Sequence, residues 1–282
     1  MILALLLAAF AAERHTVQVG GIERSFWVEV PSHLKKVGKR PAVVVFHGAG
    51  RDRSEDKGAK FARHTQMARA ARKYGAITVF PNGVGGGWYP PNWGPDGVDD
   101  LAFAKAIRKF LVKRHGVDPE RIAAVGFSSG GHMAMQWACG DPKIGGLVVV
   151  GAGLSELQAG KCGIQSPLPT MLVFGRRDPV NPYNGGSVKG ARAKEREDSR
   201  VYSAKKSGEF FSRKNQCRKP AKQLTLRAPN GRDIGTREKY RGCKKGKVEV
   251  MSLPIGHSWP KGASAYIARF LRKRVWSKHL RR

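Results

Sequence analysis

One short stretch of the chain combines a potential nucleophile with the backbone freedom that its chemistry requires. In Gly126-Phe127-Ser128-Ser129-Gly130 the spacing is G-x-S-x-G, with an apolar run before it and helix-compatible residues after it. A turn between a strand and a helix holds such a serine with its hydroxyl exposed, and flanking glycines leave room for nearby backbone. Ser129 as the nucleophile would put Phe127 where a glycine is needed. We therefore predict that Ser128 is the nucleophile.

A serine hydroxyl becomes a useful nucleophile only when a base takes its proton. With 35 glycines in 282 residues the motif alone is weak support, so its partners matter. In this arrangement an acid and then a histidine follow the serine, on loops after later strands. His132 would be fixed in the helix after the turn, and His279 lies in the basic tail. We predict that the base is His257, directly after the last predicted strand.

The acid that orients the base is predicted to be Asp178. It follows the predicted strand Thr170–Phe174 through Gly175-Arg176-Arg177, whereas Asp141 follows a predicted helix. At the carboxyl end of a strand it can accept from the imidazole and select its tautomer. The alternative is a turn-forming aspartate before a valine and a proline.

Two backbone amides are predicted to stabilise the oxyanion that forms on attack. One is the N–H of Ser129, and the other is that of Ala49 in the segment His47-Gly48-Ala49-Gly50. We interpret His47 as structural support for that loop. Aromatic candidates for the pocket wall, with core or loop packing as the alternative for the tryptophans, are Trp88, Trp93, Tyr183 and Trp259. The chemistry requires neither a cofactor nor a metal.

Apolar runs that alternate with helical patterns predict the scaffold for these residues. Runs typical of strands buried on both faces are Pro41–Phe46, Ile77–Phe80, Gly146–Val150, Thr170–Phe174 and Val248–Leu253. Besides the helix after Ser128, helices are predicted at Phe61–Lys73, Asp99–His115, Val201–Arg213 and Ala263–Val275. This alternation predicts an α/β protein with a mostly parallel, doubly wound sheet.

Two antiparallel hairpins complete the predicted architecture. His15–Val19 and Arg24–Val30 join at paired glycines, and Gln223–Leu226 and Thr236–Tyr240 flank Asn230-Gly231. We expect residues 12–282 to form a single domain with a basic excursion at about 184–246.

The chain is strongly basic, with 52 Lys+Arg against 21 Asp+Glu and a formal net charge of +31. Local density is highest at Arg192–Arg200, Lys205–Lys222 and Arg272–Arg282. Because no nucleic-acid-binding motif accompanies the charge, a solvated cationic surface is favoured over a nucleic-acid role. An acidic polymer or an anionic surface remains an open partner.

The N-terminal segment and the cysteines bear on the compartment. Met1–Ala12 reads MILALLLAAFAA, which predicts a signal peptide over residues 1–11, with a buried first strand as the alternative. No apolar run is long enough to span a membrane. Secretion, or export to a periplasm, makes two disulfides the economical interpretation, and local pairing gives Cys139–Cys162 and Cys217–Cys243. Free buried thiols are the alternative. No C-x-x-C occurs, so no thiolate metal site is expected.

From about Arg24 to Phe270 the chain resembles the secreted α/β-hydrolase esterases known as polyhydroxybutyrate depolymerases and feruloyl esterases. The segments that carry the resemblance are VVFHG at 44–48, VDDLAF at 98–103, GVDPERI at 116–122, GFSSGG at 126–131, GRRDPVNPY at 175–183 and GHSWP at 256–260. The resemblance implies an α/β-hydrolase fold and a triad at Ser128, Asp178 and His257. This sequence departs from the family at Ala49, often a cysteine, and at Arg176-Arg177, often Gly-Thr.

The resemblance implies hydrolysis of carboxylic esters through an acyl-serine. The expected substrates are hydroxyalkanoate oligomers or polyesters, or feruloyl and acetyl esters of polysaccharide. Two alternatives remain open: a cationic binding protein on an inactive hydrolase scaffold, and an esterase directed at an acidic polymer.

Overall fold

The strands are the apolar runs of the sequence together with two hairpins. The computed structural model describes residues 12–31, 39–50, 52–89, 95, 97–164, 168–189, 200–228, 230–244 and 246–277. Its strands are β1 (Glu13–Val19), β2 (Ile22–Glu29), β3 (Arg40–Phe46), β4 (Ile77–Pro81), β5 (Val117–Phe127), β6 (Gly146–Val150), β7 (Thr170–Gly175), β8 (Gly186–Ser187), β9 (Arg200–Val201), β10 (Cys217–Arg227), β11 (Asp233–Cys243) and β12 (Val248–Leu253). The predicted signal segment and Trp93 lie outside the described residues.

The helices lie on both faces of the main sheet. They are α1 (Lys57–Thr65), α2 (Met67–Arg72), α3 (Asp100–His115), α4 (Ser129–Gly140), α5 (Glu156–Lys161), α6 (Ala204–Lys214) and α7 (Ala263–Leu271), with a 3₁₀ turn at Val84–Gly86 and a π-helical turn at Arg272–Trp276. One core layer contains Phe103 of α3, Trp137 of α4 and Phe211 of α6. The opposite layer contains Met67 of α2 and Leu271 of α7.

Within the described ranges the main sheet has ten strands in the order β1-β2-β4-β3-β5-β6-β7-β12-β11-β10. The pairs from β4 through β3, β5, β6 and β7 to β12 are parallel, and hairpins β1–β2 and β10–β11 add antiparallel edges. Parallel strands end at the same edge of a sheet, so the loops after β5, β7 and β12 are neighbours. This confirms the predicted mostly parallel sheet and the N-terminal hairpin.

The prediction of one helix over Phe61–Lys73 is wrong. The chain forms α1 and α2 with a break at Gln66, whose φ is 54°. The hydroxyl of Thr65 donates to the carbonyl of Phe61 at 3.0 Å, and the carbonyl of Thr65 accepts the hydroxyl of Ser264 at 2.5 Å. Because a helix from elsewhere in the chain takes that carbonyl, the continuous ladder of helical hydrogen bonds is interrupted.

The C-terminal half extends or shortens other predicted elements. The second hairpin is longer than predicted, with eleven residues in each strand. The closing helix ends at Leu271 and continues as the π-helical turn. Described parts of the predicted basic excursion contribute α6 and the β10–β11 hairpin, which joins the main sheet.

Candidate active site

The turn between β5 and α4 holds Ser128 in a conformation that only a constrained backbone maintains. Its φ and ψ are 53° and −121°, and its N–H donates to the carbonyl of Val150 at 2.9 Å. A Cβ added at Gly126 would collide with the carbonyl oxygen of Gly130, and one added at Gly130 would collide with the carbonyls of the residues that end β3. Both glycines are therefore required for the strand and the helix to meet at this angle.

Three side chains that are far apart in sequence form one hydrogen-bonded chain at this edge. Nε2 of His257 lies 2.9 Å from Oγ of Ser128, across 129 residues. Nδ1 of His257 lies 2.7 Å from Oδ2 of Asp178, across 79 residues. With the proton on Nδ1, the imidazole donates to the carboxylate and accepts from the hydroxyl, which is the arrangement that a general base needs.

Asp178 serves as a turn residue and as the partner of the histidine at the same time. Its Oδ1 accepts from the amides of Val180 and Asn181, each at 2.8 Å, while Oδ2 faces His257. Burial opposes ionisation of the carboxyl, but the hydrogen bonds from His257 and from the two amides outweigh it and lower its pKa. The group therefore stays anionic and fixed in orientation. The two sequence interpretations of Asp178 are compatible.

One aromatic ring packs against the imidazole of His257, and two further rings pack against that ring. The ring of Phe127 lies 4.9 Å from that of His257, and Trp259 meets Phe127 edge-on at 6.5 Å. The ring of Phe61 stacks on that of Phe127 at 6.3 Å. Sequence reasoning missed Phe127 as a supporting residue, although its position between the glycine and the serine of the motif was a usable signal.

The segment predicted to supply an oxyanion donor lies against the nucleophile. A Cβ built on Gly48 would lie 3.4 Å from Cβ of Ser128, and Ala49 follows as an exposed residue. Ser129 opens α4, so its amide is at the positive end of that helix dipole. The oxyanion role of these two amides stays a prediction, supported by the contact of Gly48 with Ser128 and by the place of Ser129 at the start of α4.

Hydrogen bonds of His47 hold this segment in position. Its Nδ1 lies 2.9 Å from the carbonyl of Gly48, and its Nε2 accepts from the amide of Gly83 at 3.1 Å, so one neutral tautomer satisfies both bonds. Burial is the main cause that lowers its pKa to about 4, and the nearby charge of Lys57 adds to the effect. The indole of Trp88 donates to the carbonyl of His47 at 2.8 Å.

Three of the predicted pocket-wall aromatics, Trp88, Trp259 and Tyr183, lie among the described residues. Trp88 is 5% exposed and packs edge-on against Phe46, which corrects the pocket-wall interpretation and fits the packing alternative. Trp259 is 9% exposed, and its indole donates to Ser264. Its ring contacts Phe127, which in turn packs against His257. The hydroxyl of Tyr183 is 2.9 Å from that of Ser252 on β12.

All four cysteines form disulfides, in the pairing predicted from local spacing. Cys139–Cys162 ties the end of α4 to the residue after α5, and Cys217–Cys243 closes the base of the β10–β11 hairpin. Among the described residues no group of three or more His, Cys, Asp and Glu side chains could hold a metal ion. No helix in the described ranges has the length and apolar character needed to cross a bilayer.

Comparison with known proteins shows sequence similarity to esterases. No family model matches the chain. Putative esterase NocK of Nocardia uniformis subsp. tsuyamanensis is 29% identical over 80% of the chain and 67% of its own length. Feruloyl esterase B of Piromyces equi is 30% identical over 68% of the chain and 35% of its own length. A probable feruloyl esterase C of Aspergillus clavatus is 30% identical over 68% of the chain and 60% of its own length.

The chain has the α/β-hydrolase fold, and its sequence is similar to esterases. The solved acetyl xylan esterase from Aspergillus awamori shares the fold of this α/β-hydrolase, with a TM-score of 0.62 at 14% identity over 92% of this chain and 98% of that one. The serine hydrolase FphF of Staphylococcus aureus superposes with a TM-score of 0.56 at 12% identity over 94% and 98% of the two chains. The α/β-hydrolase spans about two thirds or less of the lengths of the three sequence relatives.

Proposed function

We propose that this protein hydrolyses carboxylic esters with Ser128 as nucleophile, His257 as general base and Asp178 as the acid that orients the base. The observation that carries the proposal is the continuous chain of hydrogen bonds at 2.9 and 2.7 Å through both ring nitrogens of His257. A half-buried imidazole bonded on one side to a carboxylate and on the other to a strained serine is the constellation of nucleophilic acyl transfer.

The steps follow from this arrangement. Nε2 of His257 takes the hydroxyl proton while Oγ of Ser128 attacks the ester carbonyl carbon, and Asp178 stabilises the imidazolium. The negative charge on the carbonyl oxygen is held by the amides of Ser129 and Ala49. The imidazolium returns its proton to the alkoxide, the alcohol leaves, and water activated by the same base releases the acid from the acyl-serine.

The names of the relatives support esters carried on polysaccharide as the substrate class. Two of the three sequence relatives are feruloyl esterases by name. Hydroxyalkanoate esters are the second candidate, favoured by the sequence segments that resemble polyhydroxybutyrate depolymerases. A panel of acetylated xylan, methyl ferulate and hydroxybutyrate oligomers ranks these classes by kcat/KM.

We also propose that the protein works outside the cytoplasm, since two disulfides persist mainly in oxidising compartments. The apolar segment Met1–Ala11 in the sequence supports the same proposal.

Paired serine variants test the catalytic assignment on a short-chain p-nitrophenyl ester. Ser128→Ala is expected to lower kcat by roughly 10⁴-fold or more, because the nucleophile is lost. Ser129→Ala keeps the backbone amide and is expected to stay within about tenfold of wild type, because its role requires only the N–H.

Equal activity of wild type and Ser128→Ala would reject the assignment. Loss of activity in Ser129→Ala alone would transfer the role to the rival serine. Wild type that is inert on the whole panel would favour a binding protein on a hydrolase scaffold.

A further inference from the structure

The hairpin formed by β10, β11 and their turn, residues 217–244, places like charges opposite each other. We call this segment the basic hairpin. In its register Lys222 is directly opposite Lys239, and Lys219 is directly opposite Arg241. Like charges at directly opposed positions of an antiparallel pair destabilise it. Within the described part of the chain, no carboxylate lies within ion-pair distance of Lys219, Lys222 or Lys239.

Lys219, Lys222 and Arg241 are exposed on the last two strands of the sheet, and Lys239 is half-buried. β10 is the edge strand and β11 lies between it and β12. At about 3.3 Å per residue, an eleven-residue strand extends about 35 Å. Exposed cations of the basic hairpin are Arg218, Lys219, Lys222, Arg227, Arg232, Arg241 and Lys244. The acidic residues of the same segment are Asp233 and Glu238.

Protection of an open sheet edge does not account for this pattern. Lysines on an edge strand prevent pairing with other chains, and those of β10 could have that role. Lys239, however, belongs to the part of β11 that is paired on both sides. It is opposite Lys222 on β10 and Glu249 on β12, and Glu249 forms its ion pair with Arg237. The charge of Lys239 adds repulsion toward Lys222 without protecting an edge, so these cations suit a ligand that supplies further negative charge.

The basic hairpin reaches the edge of the sheet that holds the candidate active site. Thr236 pairs with Ser252 near the end of β12, a few residues before His257. The guanidinium of Arg176 donates to the hydroxyl of Thr236 at 2.9 Å, and Arg176 is two residues before Asp178. Arg177, between them, is exposed. A strip of exposed cations therefore lies along the basic hairpin and continues, at the turn end of the hairpin, with Arg176 and Arg177 beside the turn that carries the candidate acid.

We propose that the basic hairpin binds a carboxylate-bearing polysaccharide and guides its ester groups to Ser128, an inference that rests on the proposed esterase function. A polyuronate supplies repeated negative charge over the length of the strip and carries esterifiable groups. Single-stranded nucleic acid would need aromatic platforms for its bases. The aromatic residue of the hairpin, Tyr240, is half-buried and packs toward Gly208 of α6.

The binding experiment compares two charge-matched double variants of the full chain. Lys219→Glu/Lys222→Glu alters the basic hairpin, and Lys105→Glu/Lys109→Glu makes the same change in net charge on exposed positions of α3, which packs near β1 and β5. Affinity for polygalacturonate is measured at several NaCl concentrations, with dextran and single- and double-stranded DNA as further ligands. The hairpin variant is expected to lose about tenfold in affinity for polygalacturonate and the α3 variant less than about twofold. Circular dichroism checks that the variants fold. If the reversed charges unfold the hairpin, Lys219→Gln/Lys222→Gln is used in their place, with an expected loss of about threefold in affinity for polygalacturonate.

The catalytic experiment measures the ratio of turnover on a partly esterified polygalacturonate to turnover on p-nitrophenyl acetate. We expect this ratio to fall about tenfold in the hairpin variant and to stay at the wild-type value in the α3 variant. Equal losses of affinity in both double variants, an unchanged ratio, or tighter binding of DNA than of polygalacturonate would each overturn the inference. Failure of the esterase assignment itself is recognised separately, by full activity of Ser128→Ala on p-nitrophenyl acetate.

Discussion

Ser128 and His47 each occupy a state that their surroundings impose. A positive φ at a serine costs of order 1–3 kcal/mol, and it is retained here because the strand, the helix and the amide bond to Val150 fix the turn. His47 is held neutral by burial, with both ring nitrogens bonded to backbone. In both cases the surrounding contacts maintain a state that is unfavourable by itself, and they hold the residue in a defined position beside the candidate site.

The burial of His47 predicts a loss of stability in acid. Its pKa is about 4 in the folded protein and 6.5 when unperturbed, so the unfolded chain binds more protons between these values. The contribution is fully present above pH 6.5 and is lost as the pH falls to 4, by up to about 3 kcal/mol. Urea unfolding between pH 7 and 4.5 should show a shallower pH dependence in His47→Asn than in wild type.

The exposed His64 supplies the control for this prediction. His64→Asn should keep the wild-type pH dependence of the free energy of unfolding. Because other buried groups also titrate in acid, the difference in slope between variants is the decisive quantity. An identical slope in wild type and His47→Asn would contradict the prediction.

At the scale of elements, contacts between backbones decide how β5, α4 and β3 meet. Gly126 and Gly130 face carbonyl oxygens with no space for a Cβ. The buried pair Arg24–Asp100, at 2.6 Å, joins β2 to the start of α3, and the other oxygen of Asp100 accepts the amide of Tyr89 at 2.7 Å. Elements around the candidate site are thus located by close backbone contacts and by a buried ion pair.

A pair of glycine substitutions tests the steric requirement at the turn. Gly130→Ala is expected to cost at least about 3 kcal/mol, because the new methyl group overlaps backbone oxygens at the end of β3. Gly160→Ala in α5 meets nothing within 4 Å and is expected to stabilise by up to about 1 kcal/mol. Chemical denaturation of the two variants gives both values, and similar stabilities would refute the steric argument.

At the scale of the whole molecule, a net charge of +31 is a source of repulsion. Carboxylates of the described residues are used in ion pairs such as Arg108–Asp141 at 2.9 Å and Arg237–Glu249 at 2.6 Å, yet the cations greatly outnumber them. Unscreened repulsion of this kind favours expanded states over the compact one. Screening by salt should therefore stabilise the fold.

The salt dependence of the melting temperature checks this expectation. Raising NaCl from about 20 to 200 mM should raise Tm by several degrees, since the Debye length falls to about 10 Å at 0.1 M. Most of the rise should occur below 0.2 M and then level off, because screening saturates. A Tm that is flat in this range, or that only begins to rise above it, would show that repulsion is not a significant term.

Features that depend on local pattern were determined by the amino-acid sequence itself. The buried strands, the helix Asp100–His115 with its cap at Asp99, and the glycine-flanked turn at Ser128 follow from residue type and spacing over a few positions. The order serine, acid, histidine and the ends of predicted strands were enough to select Asp178 and His257, which the fold brings into hydrogen-bonding contact.

Tertiary structure alone decided the features that depend on distant contacts. The break at Gln66 arises because Ser264, 199 residues from Thr65, takes the carbonyl of that residue. The burial of Trp88 depends on its bond to His47, 41 residues away, and the opposition of Lys222 and Lys239 depends on a bulge that shifts the register of the hairpin. Each of these features depends on which of several distant partners contacts the residue. Spacing along the chain does not determine that partner, because only the folded structure brings distant residues within contact distance.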